Sequence, residues 1–127
     1  MPNSLEVFHH RKLVFSSTGS WLHPLFELER VIQTAAMNPA ELDVHDKIVG
    51  AASAFLIASL GIRTLHAGIL SRQGETVLKR FAITFTCDNL VDRIGCATEN
   101  ILDPAMEVAD AVAILRQRAS AKKKESD

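Results

Sequence analysis

The stretch Arg93-Ile94-Gly95-Cys96-Ala97-Thr98-Glu99 places a thiol between a guanidinium and a carboxylate, three residues from each. If a helix begins there, its N-terminal dipole and Arg93 favour the thiolate, the nucleophilic form of cysteine. Cys96 is then a candidate catalytic nucleophile or redox thiol, with Glu99 or Asp46 handling the proton. The plainer reading is an inert thiol and a capping-box glutamate. A second set is Asp46-Lys47 shortly before Gly50, together with Ser71. At the starts of helices such residues meet unpaired N–H groups and a partial positive charge, which suits an anion. Asp46, Lys47, Gly50, Ser71 and Arg93 are therefore candidate ligand-binding residues for a small anionic or nucleotide-like molecule. Each polar one has a plainer role: Asp46 and Ser71 as helix caps, Lys47 in solvent, Arg93 in an ion pair with Asp92.

Five histidines raise the question of a metal. His9-His10 lies in a predicted hairpin turn and reads as solvated, and His66 lies within a strand. No H-x-x-x-H or C-x-x-C spacing occurs, so no metal ligands and no cofactor are expected. Cys87 ends a strand and reads as a small core residue.

These residues are positioned by alternating strands and helices. Leu5 to Phe8 and Leu13 to Ser16 are β-prone runs separated by His9-His10-Arg11-Lys12, which predicts a hairpin. A helix from about Trp21 to Ala35 follows, with Ser20 as N-cap and Pro24 in its first turn. Leu42 to His45 reads as a short strand, Asp46 as the cap of a helix through Leu60, and Gly61 as its C′ residue. Arg63 to Leu70 predicts a strand, Ser71 caps a helix over Arg72 to Arg80, and Ala82 to Cys87 predicts another strand. Asp103-Pro104 opens an amphipathic helix carrying Met106, Ala109, Val112 and Leu115. Residues 1–120 form one domain, and 121–127 read as a disordered charged tail. The fold class is α/β: a three-layer α/β/α sandwich on a mixed five-stranded sheet with an N-terminal antiparallel hairpin. In such a sheet, ligands bind beyond the carboxyl ends of the strands.

The bulk numbers narrow the partners. The 127 residues suit one domain, and 47% of them are hydrophobic. Lys+Arg total 14 against 15 Asp+Glu, which gives no electrostatic case for nucleic acid or an anionic membrane. Two cysteines, and a start (Met1-Pro2-Asn3-Ser4) without a secretory pattern, point to free thiols and a cytoplasmic location. The exposed hairpin edge leaves a homo-oligomer, and hence an assembly module, as an alternative to ligand binding or thiol catalysis.

The element order resembles the cytidine deaminase-like fold. Zinc deaminases of that fold carry His-Ala-Glu or Cys-Ala-Glu at one helix start and Pro-Cys-x-x-Cys at the next. Here the corresponding stretches read Ser20-Trp21-Leu22-His23 and His45-Asp46-Lys47-Ile48-Val49. The thiol ligands and the proton-carrying Glu are missing, which disfavours deamination by zinc-activated water. More closely, the chain resembles the domain of unknown function 1893 family over most of residues 4 to 118. The resemblance rests on Asp46-Lys47-Ile48-Val49-Gly50-Ala51-Ala52, Ala67-Gly68-Ile69-Leu70-Ser71 and Arg93 through Glu99. Asp46, Lys47, Gly50, Ser71, Arg93, Cys96 and Glu99 match the family's pattern, while Ala97 and Thr98 depart from its Cys-Pro-Met-Glu. The resemblance implies a deaminase-like fold and leaves the activity open.

Overall fold

Alternation sets the first two strands. In β1 (Leu5–His9), Leu5 and Val7 are buried while Glu6 and Phe8 face the other way. β2 (Lys12–Ser17) pairs antiparallel with it, His9 opposite Lys12, so only His10 and Arg11 make the turn. Both have positive φ, 49° and 69°, the handedness that a two-residue hairpin demands of its central residues.

The computed structural model describes residues 3–94 and 101–126. After the hairpin comes α1 (His23–Thr34), with Pro24 in its first turn and Leu25, Leu28 and Ile32 buried at helical spacing. Its N-cap is Leu22 rather than Ser20. A single 3-10 turn (Pro39–Glu41) leads into β3 (Leu42–Val49).

Here the structure corrects the sequence reading. Asp46 does not cap a helix. It sits opposite Leu5 on one side and Ala67 on the other, inside the ladder. With strands pairing on both flanks, the backbone of residues 46–49 stays extended, and the N-cap position passes to Gly50. α2 (Ala51–Ser59) follows and ends at Gly61, whose φ of 84° fits the expected C′ role.

β4 (Thr64–Ser71) leads into α3 (Arg72–Arg80), and Ser71 caps it as expected, its hydroxyl accepting from the Gly74 N–H at 3.1 Å. β5 (Thr84–Val91) runs past Cys87, because Leu90 and Val91 find partners in Leu70 and Ser71. α4 (Val108–Ser126) starts after the expected Asp103-Pro104. The Asp103 carboxylate instead accepts from the Ala105 N–H at 2.9 Å in a turn before the helix. Residues 121–126, expected as tail, lie on the last turns of α4.

The sheet order is β2-β1-β3-β4-β5, with β3, β4 and β5 mutually parallel and β1 antiparallel to both neighbours. This is the mixed five-stranded sheet and antiparallel hairpin that the sequence predicts. The connections β3-α2-β4 and β4-α3-β5 advance in the same direction, so right-handed crossovers lay both helices on one face. That face buries Leu5, Val7, Leu42, Val44, Leu65 and Ala67. α2 is buried from Ala51 through Ile57, being packed by the sheet, by α3 and by α4. α4 docks through Ala111 and Leu115, and Arg116 reaches across to Glu29 of α1 at 2.9 Å. No helix among the described residues is long and apolar enough to cross a membrane.

Where β3 and β4 run side by side, a Cβ on Gly68 would lie 2.6 Å from the Lys47 carbonyl oxygen. Backbone cannot yield there without disturbing two central strands. Gly68→Ala is therefore expected to lose about 1–3 kcal/mol in urea denaturation. An unchanged midpoint would show that the strands can move apart freely.

Candidate functional site

The carboxyl ends of the three parallel strands are aligned by register: Val49 lies opposite Leu70, and Ser71 opposite Val91. α2 and α3 both begin at this edge. A Cβ on Gly74, in the first turn of α3, would lie 3.1 Å from the carbonyl carbon and oxygen of Gly50, the N-cap of α2. Two helix N-termini thus touch through a pair of residues without side chains. Their partial positive charges add over one small region. The two ends differ in one respect. The start of α3 is closed by the Ser71 hydroxyl, whereas among the described residues no side chain caps α2.

Asp46 stands on the helix-facing side of β3, four residues before Gly50, and is only 8% exposed. Burial pushes its carboxyl up from 3.8 to about 7, although the N–H groups of Ile48 and Lys47 pull the other way. A carboxyl that exchanges its proton near neutrality is suited to acid–base work. In the first turn of α3, the side-chain oxygen of Gln73 is buried with no hydrogen-bond partner among the described residues. This acceptor has no signature in the sequence. Only the packing of α3 reveals it.

The remaining expected residues have these positions. Lys47 is exposed on β3, not in a helical turn. Ser71 is fully buried, its hydroxyl engaged in the cap. Arg93 is exposed, two residues past the end of β5. Its expected partner, Asp92, accepts instead from Arg72 Nε at 2.8 Å. Cys87 is a half-buried free thiol packed against the core, as anticipated. Cys96 and Glu99 lie outside the described residues.

The helix starts that follow the parallel strands read Gly50-Ala51-Ala52-Ser53 and Ser71-Arg72-Gln73-Gly74. The first of them takes the place of the His45 to Val49 stretch compared above, which lies in β3, while the Ser20 to His23 stretch does lead into α1. Neither Gly50 to Ser53 nor Ser71 to Gly74 contains a thiol or a glutamate.

The opposite face of the sheet carries a polar row that sequence reasoning missed. His66 on β4 lies between two β5 residues, with Nδ1 2.6 Å from Thr86 Oγ1 and Nε2 3.2 Å from Asp88. The His45 ring stands 5.6 Å away. A shallow depression of about 270 Å³ lies over Asp43, His45, Thr64, His66, Thr84 and Thr86. The i, i+2 spacing of Thr84, Thr86 and Asp88 was the available signal. The order Thr-His-Asp has the parts of a nucleophile relay. His66 itself, however, lies on β4, between β3 and β5, where backbone N–H groups are taken up by strand pairing and are not free to stabilise an oxyanion.

A family model described as a domain of unknown function (DUF1893) matches residues 4–117. Among solved structures, a DUF1893 family protein from Thermotoga maritima is similar at a TM-score of 0.79 and 20% identity. The match covers 91% of this chain and 80% of that one. No curated protein matches.

Proposed function

The chain belongs to the DUF1893 family, and we propose that it binds a small anionic or nucleotide-like molecule at the carboxyl edge of β3, β4 and β5. The observation that carries this reading is the contact of two helix starts at Gly50 and Gly74. The uncapped N–H groups of α2 are the donors for the anion. Lys47 and Arg93 supply balancing charge from the exposed rim, and Ser71 fixes α3 rather than touching the ligand. Asp46 adds a titrating group and the buried Gln73 oxygen an acceptor without a partner among the described residues, which favours a ligand with N–H or O–H donors beside its anionic group.

Thermal-shift titration with inorganic phosphate, nucleoside monophosphates and phosphorylated sugars tests this. A ligand at about 100 times its Kd adds about 2.7 kcal/mol, a midpoint rise of roughly 10 °C. The rise is expected with at least one compound and should shrink in the Lys47→Ala/Arg93→Ala double variant. No shift with any of them, or a shift indifferent to the double variant, overturns the reading.

A further inference from the structure

We propose that His9, His10 and Glu41 form a binding site for one divalent transition-metal ion of the zinc class, separate from the sheet's carboxyl edge. Adjacent residues on a strand normally face opposite ways. His9 and His10 do not, because His10 stands at φ 49° in the hairpin turn. The left-handed step swings its ring beside that of His9, with centroids 4.1 Å apart and the planes at 68°.

Topology supplies the third group. β1 runs antiparallel to β3, so His9 lies opposite Leu42. Glu41, the last residue of the 3-10 turn, is thereby carried to the hairpin tip. Its Oε2 lies 3.0 Å from His9 Nε2 and 4.0 Å from His10 Nε2. One donor atom from each of the three residues falls within 4.8 Å of the others.

Two imidazoles and a carboxylate match zinc in ligand type, with metal–ligand distances of about 2.0–2.2 Å, and leave a fourth position for water. Calcium and magnesium are poor fits, since they take oxygen ligands throughout. His10 is 76% exposed on its side chain, so an ion can enter from solvent without any opening motion. Asn-Gly would be the relaxed choice for His10-Arg11 in this turn.

The test is a zinc titration of the full chain against a chromophoric chelator, with thermal midpoints recorded with and without zinc. The wild type should take up one ion at this site, and its midpoint should rise. Glu41→Gln should weaken that binding by about tenfold or more, because it replaces a charged ligand. His10→Asn is the decisive variant. It relaxes the turn, so the metal-free midpoint should hold or rise, while the zinc-induced shift falls away. Zinc taken up elsewhere, for example by the thiols, would persist equally in both variants. Wild-type uptake unaffected by either substitution, or no uptake at all, overturns the proposal.

Discussion

Asp46→Asn should remove most of the loss of stability that the wild-type chain suffers as pH rises from about 4 to 7. Burial lifts the Asp46 carboxyl from 3.8 to about 7. Below the lower value the group is protonated whether the chain is folded or unfolded, and it imposes no penalty. Between the two values the unfolded chain releases the proton while the folded chain keeps it, so stability falls with rising pH. Above about 7 the folded protein holds a buried carboxylate between Leu5 and Ala67, and the loss is complete. At about 1.4 kcal/mol per pH unit, the full loss is on the order of 4 kcal/mol. Asn keeps the shape and an oxygen to accept from the backbone, but carries no charge. Urea denaturation of both proteins from pH 4 to pH 8 should therefore show curves that diverge, with the variant the more stable at pH 8. Parallel curves would mean that Asp46 titrates as it does in the unfolded chain. A residue that opposes stability at neutral pH, on the strand leading to the contact of two helix starts, is where a functional demand on sequence would show itself.

Phe55→Ala is expected to cost about 3–5 kcal/mol, a large share of the 5–15 kcal/mol that holds a domain of this size together. The side chain is 0% exposed, and its ring meets that of Phe81 at 6.2 Å and 63°. α2 is enclosed by the sheet, α3 and α4, so no neighbour can move in to fill the space without separating from another. The thermal midpoint should fall by more than about 10 °C in calorimetry. Leu13→Ala, at a position 48% exposed on β2, is the matching control and should change stability by at most about 0.5 kcal/mol. A Phe55 variant as stable as that control would mean that the interior repacks far more easily than its enclosure implies.

Where local chemistry was decisive, the sequence was legible. The Ser71 cap, the glycine after α2, the proline in α1 and the N-terminal hairpin could each be read from a few neighbouring residues. The errors fell where a distant partner decides. Asp46 has the residue type of a cap, but Leu5 and Ala67 hold it in a ladder. β5 looks finished at Cys87 until Leu70 and Ser71 extend it. Asp92 adjoins Arg93 in the chain, yet Arg72, twenty residues earlier, takes it. The same holds for the site. Gly50 reads in the sequence as a residue inside the helix, but the structure makes it the N-cap, and its contact with Gly74 brings two helix starts together. His9 and His10 are solvated as read, but only the antiparallel pairing of β1 with β3 brings Glu41 beside them.

The placement of β1 between β2 and β3 has a consequence for synthesis on the ribosome. The hairpin is complete once residue 17 has emerged, but the second edge of β1 waits for β3, which begins at Leu42 and is separated from the hairpin by the whole of α1. Throughout that interval Leu5 and Val7, later fully buried, accompany a row of unsatisfied amides and carbonyls. During that interval the unpaired edge of β1 is open to pairing with a neighbouring chain.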